Sequence, residues 1–100
     1  MSPRRIRLSR ARGWRKPPGT VVVARPTRWG NPFRVAAGTS VPDRETAVAR
    51  FRDFVSGDYD PTQYPSAEEI RAELAGRDLA CWCPLDGPCH ADVLLEIANG

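Results

Sequence analysis

One hundred residues, 41% hydrophobic and 27% charged, with a net charge of +3, make a single small domain over 1–100. Such a chain buries roughly two-thirds of its unfolded surface and cannot carry two cores. No apolar run approaches the ~20 residues that cross a bilayer, and the arginine-rich start lacks the apolar segment of a signal peptide, so no membrane partner and a cytoplasmic location are expected.

The charge is divided along the chain: residues 1–42 hold ten Arg or Lys and no acid, whereas the remainder holds five basic and twelve acidic residues. A basic half attracts phosphate, on a small molecule, a nucleic acid or a protein partner. Mutual attraction of the two halves within the fold, or plain solvation of the arginines, explains the same pattern.

Residues 1–19 form a basic, loop-rich segment, with a short strand expected around Ile6 and Leu8. Trp14 follows among cations, prolines and glycines, where it can stack a base or act as a packing lid beside an arginine. Thr20 to Ala24, with three consecutive valines, reads as a strand covered on both faces and is expected at the centre of the sheet. The loop Arg25-Pro26-Thr27-Arg28-Trp29-Gly30-Asn31-Pro32-Phe33 leaves it directly. Asp43 is a suitable N-cap for a helix through Ala47, Val48, Phe51, Phe54 and Val55 that ends at Gly57. Asp58 to Pro65 reads as a loop of freely variable composition. Ser66 with Glu69 forms a capping box for a second helix through Ile70 and Leu74, ending at Gly76.

Arg77 to Cys83 reads as a strand with Leu79, Cys81 and Cys83 on one face, and Ala80 and Trp82 on the other, Trp82 in the core. Asp86-Gly87-Pro88 makes a turn, with Pro88 at the first position of a helix carrying Val93, Leu94, Ile97 and Ala98. The order is β-α-α-β-α with the added N-terminal strand, an α/β domain whose short, mainly parallel sheet is flanked by helices. If the Val and Cys strands are parallel neighbours, their loops emerge at one edge, where α/β sheets bind ligands. Arg25, Arg28, Trp29, Gly30, Asn31, Cys83, Cys89 and His90 then line one pocket.

Three readings fit the cluster Cys81, Cys83, Cys89 and His90. Three cysteines, an odd number within nine positions, fit reduced thiols rather than a disulfide framework. Three thiolates and one imidazole are a normal zinc set, although C-x-C separated by five residues from C-H is unusual spacing. Alternatively Cys89 and His90 are catalytic or polar pocket groups at a helix start, where free amides stabilise anions. Finally, cysteine is commonly buried, so Cys81 mid-strand and His90 at the helix start can be purely structural.

RGWRKPPGTVVVARPTRWGNPF together with LACWCPLDGPCHADVLLEIAN resembles an uncharacterised family of small bacterial and phage proteins, a domain of unknown function, marked by WGNPF and by CWCP separated by four residues from CHADVL. The resemblance covers most of the chain and implies a shared pocket holding Trp29, Gly30, Asn31, Cys83, Cys89 and His90. The last motif is more distantly similar to another uncharacterised α/β family with Cys-His-Arg at a strand-to-helix junction, where this chain has Ala91 in place of the Arg.

The function expected is an enzyme or binding protein for a nucleotide, nucleoside or nucleic-acid component: Arg25 and Arg28 on phosphate, Trp29 or Trp14 on a ring, Asn31 on polar groups, and Cys89 with His90 supplying chemistry. The alternative is a small zinc-binding module that contacts nucleic acid or a host protein through its basic half.

Overall fold

A computed structural model describes residues 3–36 and 38–100. In chain order the elements are β1 (Arg5–Arg7), β2 (Val21–Val22), α1 (Arg44–Ser56), α2 (Ala67–Leu74), β3 (Leu79–Cys81) and α3 (His90–Asn99). The sheet order is β1-β3-β2, with both pairings parallel. The α/β architecture is therefore as the patterning suggests, including the N-terminal strand. The centre differs, because β3 rather than the valine strand takes the middle position.

Hydrophobic burial explains that exchange. All three residues of β3 are buried, whereas Val21 and Val22 are only half-buried. Val21 donates its amide to Asp78 O at 2.9 Å and Val23 to Ala80 O at 2.8 Å. On the other side Leu79 donates to Arg4 O at 3.0 Å and Leu8 to Cys81 O at 2.8 Å. Two strands on one three-residue segment consume its backbone polar groups, which a buried segment requires.

Helix starts follow local chemistry. The Asp43 carboxylate accepts from Thr46 N at 2.8 Å, and the Ser66 hydroxyl accepts from Glu69 N at 3.2 Å; each satisfies an amide with no acceptor in its own helix. The second helix stops at Leu74, with Ala75 as its C-cap and Gly76 just beyond at φ +74°, a backbone conformation favourable to glycine. The third helix begins at His90, with extended Cys89 as its N-cap. The helix start expected at Pro88 therefore shifts by two residues, since Cys89 turns its sulfur toward Cys81 instead of joining the first turn.

The core joins α1, α2, α3 and the sheet through Phe51, Ile70, Leu74, Leu79 and Leu94. Phe51 meets the rings of Tyr64 and His90 edge-on, with centroids 5.2 and 5.6 Å apart. The segment from Asp58 to Pro65 is more constrained than a freely variable loop: Tyr64 is buried and Tyr59 lies 4.8 Å from Phe54, centroid to centroid. Trp82 is 46% exposed, against the core position expected of it. Strand β3 ends at Cys81 and the chain bends at Trp82 and Cys83, so strand alternation does not extend that far. Among the described residues, no helix is long and apolar enough to cross a membrane.

Candidate metal and ligand site

Cys81 ends β3, Cys83 lies in the bend after it, and Cys89 caps α3. Their sulfurs converge, all within 4.8 Å of one another. Cys81 Sγ and Cys89 Sγ are 2.7 Å apart and buried, while Cys83 is half-buried. A zinc ion bonded to sulfur at ~2.3 Å in tetrahedral geometry sets its thiolates about 3.8 Å apart. The Cys81–Cys89 separation is about 1 Å shorter than that and no pair exceeds 4.8 Å, so the three residues fit such an ion by donor type and number, with the two buried sulfurs having to part slightly.

Ionisation of the cluster is unequal. Hydrogen bonds from the Cys81 thiol and then the Cys89 thiol hold Cys83 well below the usual thiol range, helped by the charge of Arg44. Cys81 is pushed up by its hydrogen bonds to Cys83 and Cys89 and by burial. Cys89 is also raised, the contacts with Cys83 and burial outweighing a lowering by Cys81, the largest single influence. Of the three, Cys83 is the one whose surroundings favour the thiolate. In the metal-free protein Cys83, rather than Cys89, is the thiol with nucleophilic character.

His90 is buried and neutral. Its Nε2–H donates to Val23 O at 2.8 Å, leaving the Nδ1 lone pair 3.7 Å from Cys89 Sγ. Burial pushes its pKa below the ordinary histidine value. An imidazole whose second nitrogen is anchored on a backbone carbonyl has the usual arrangement of a metal-ligating histidine, but His90 stands outside the set of mutually close donors.

A cavity of about 210 Å³ opens over the cysteines, with Arg25, Asn31, Arg44, Trp82 and His90 among its walls. The WGNPF loop thus contributes Asn31 and its preceding Arg25 to the same cavity as Cys83, Cys89 and His90. Asn31 is held on both sides, its Nδ2 donating to Ala47 O at 3.2 Å and its Oδ1 accepting from Phe33 N at 2.8 Å. Arg25 donates to Asn31 O at 2.7 Å. Gly30 permits this crossing: a Cβ there would lie 2.6 Å from Arg25 Cγ and 3.1 Å from its Cα.

Trp29 and Arg28 are not in the cavity wall. Trp29 is buried in the core, and its carbonyl accepts from the Tyr64 hydroxyl at 2.7 Å. Arg28 lies over the Trp29 ring, 4.6 Å from its centroid, and pairs with Glu69 at 3.0 Å and with Glu73. Trp14, 36% exposed, does not line the cavity either.

Three further residues have no motif to announce them. Arg5 is nearly buried and donates to Pro84 O, Leu85 O and Gly87 O at 3.1, 2.9 and 2.7 Å, while pairing with Asp92 at 3.3 Å. It clamps the turn between Cys83 and Cys89. Arg44 brings charge to Cys83 from the first turn of α1, and Trp82 supplies an exposed ring at the cavity edge. An arginine placed alternately with Ile6 in a strand was the available signal for Arg5; the other two have only their chemistry.

A family model described as Domain of unknown function (DUF4326) matches residues 6–100. The chain belongs to this family. The matched span includes all three cysteines, His90 and the WGNPF loop, so the DUF4326 domain contains the whole cavity. Comparison with curated proteins and with solved structures finds no match.

Proposed function

We propose that this DUF4326 domain is a zinc-thiolate protein in which Cys81, Cys83 and Cys89 hold the ion, and that the adjoining cavity receives a phosphate-bearing ligand of the nucleotide or nucleic-acid class. The observation that carries the reading is the convergence of three sulfurs, from a strand end, a bend and a helix cap, to within 4.8 Å. Such an ion binds ligands as a Lewis acid. The protein's own contribution is to orient the sulfurs through the Arg5 clamp and to rim the cavity with Arg25 and Arg44.

Two arginines and no carboxylate line the described cavity wall, which favours an anion. Arg28 and Trp29 are engaged elsewhere, so Arg25 and Arg44 are the phosphate contacts in this reading. A closed site with His90 as fourth ligand is the second reading, supported by the free Nδ1 facing Cys89.

Metal analysis of the purified protein tests the first half, with about one zinc per chain expected and its loss in Cys89→Ser. A folded protein that neither carries nor takes up zinc rejects it. Histidine ring nitrogen shifts on zinc binding separate the two coordination readings, because only the closed site moves Nδ1 strongly. Thermal shifts with a panel of nucleotides and inorganic phosphate test the second half; no shift with any of them, in zinc-loaded protein, rejects the ligand class.

A further inference from the structure

We propose that the ledge formed by Arg7, Leu8, Ser9, Arg10 and Trp82 binds single-stranded nucleic acid, with one base stacked on the Trp82 indole and the backbone on the arginines after β1. This goes beyond the metal site and shares only Trp82 with the cavity beside it. The ledge follows from the sheet. Because β1 is parallel to β3 and its pairing continues through Leu8 N to Cys81 O at 2.8 Å, the next residues of the basic segment run beside Trp82. The Arg10 guanidinium sits 4.8 Å from the indole centroid. Trp82 walls the thiol cavity and also a groove of about 460 Å³ lined by those four residues.

Charge selects the occupant. Arg4, Arg7, Arg10, Arg12, Arg15 and Lys16 are exposed, and among the described residues no carboxylate lies within 4.0 Å of any of their charged groups. The acids of the chain all follow residue 42. A half-exposed indole, with Arg10 over one face, beside several cations that lack carboxylate partners matches the two needs of a single strand, a stacking platform once Arg10 turns to phosphate and a track for the backbone. A duplex keeps its base faces stacked and cannot use the ring, and an acidic protein would use the cations alone.

The test is fluorescence anisotropy with labelled DNA and RNA single strands of about 15 nucleotides, near the reach of one small domain, between roughly 50 and 200 mM salt. Both strands are expected to bind, with affinity falling as salt rises. Trp82→Ala should weaken binding about ten-fold or more, and Trp82→Phe should retain most of it. Arg10→Ala should reduce the salt slope by about one, more than the charge-matched Arg71→Ala on α2. Zinc content and circular dichroism of the same samples show whether Trp82→Ala keeps its fold and metal, which separates this proposal from the zinc reading. Absence of binding, affinity unchanged in a folded Trp82→Ala, tighter binding of duplex, or displacement by polyglutamate as effective as by unlabelled strand would each overturn it.

Discussion

Cys83 is the residue at which burial, hydrogen bonding and charge combine most directly. Its neighbours lower its pKa, the Cys81 and then the Cys89 thiol favouring its charged form and Arg44 adding positive charge. Alkylation by iodoacetamide should therefore label Cys83 before Cys81 or Cys89. Its rate should fall less steeply from pH 8 to pH 6 than that of an ordinary thiol, which slows about ten-fold per unit; preferential labelling of Cys89 would contradict the assignment. His90 responds in the opposite sense. Its folded pKa lies below the ordinary 6.5, so as pH falls beneath that value the unfolded state takes up a proton that the folded state refuses. Metal-free protein should lose stability as pH falls below 6.5, by at most ~1.4 kcal/mol per unit. Denaturant unfolding at several pH values checks this, and His90→Gln should flatten the dependence.

At the level of elements, the site depends on contacts between segments far apart in the chain. Arg5 in β1 holds three carbonyls of the turn before α3. Arg5→Met keeps the apolar stem but removes the donors, so it should lower stability by about 2–3 kcal/mol and weaken metal binding ten- to hundred-fold. Chemical denaturation and competition with a chelating dye measure the two effects. Phe51 joins α1 to Tyr64 and to His90 at the start of α3; Phe51→Ala should cost about 3–5 kcal/mol, read from thermal or urea unfolding. Helix caps at Asp43 and Ser66 were legible because a cap is a bond between residues three apart. Arg5 was not, since its partners lie about eighty positions away. The exposure of Trp82 escaped the period-two pattern because that pattern holds only within a strand, and β3 stops one residue earlier.

Across the whole molecule, the parallel sheet explains why a basic N-terminal segment and a cysteine-rich C-terminal segment share one edge. Hydrophobic runs and turn residues made the α/β class and the adjacency of the Val and Cys strands readable, but burial decided which strand became central. The pairing of the halves was readable only as a net effect. Arg28 finds Glu69 and Glu73 on α2, whereas the exposed cations of residues 4–16 keep no such partner among the described residues. Composition records that imbalance without saying which arginine falls on which side.

The three-sulfur centre is tested most directly by cobalt titration of metal-free protein, read in the thiolate-to-cobalt charge-transfer absorbance. One equivalent should saturate a band from three sulfurs, and Cys81→Ser, Cys83→Ser and Cys89→Ser should each reduce its intensity by about a third or abolish it. A titration with no charge-transfer band, or a band unchanged when Cys83 is replaced, would contradict the account.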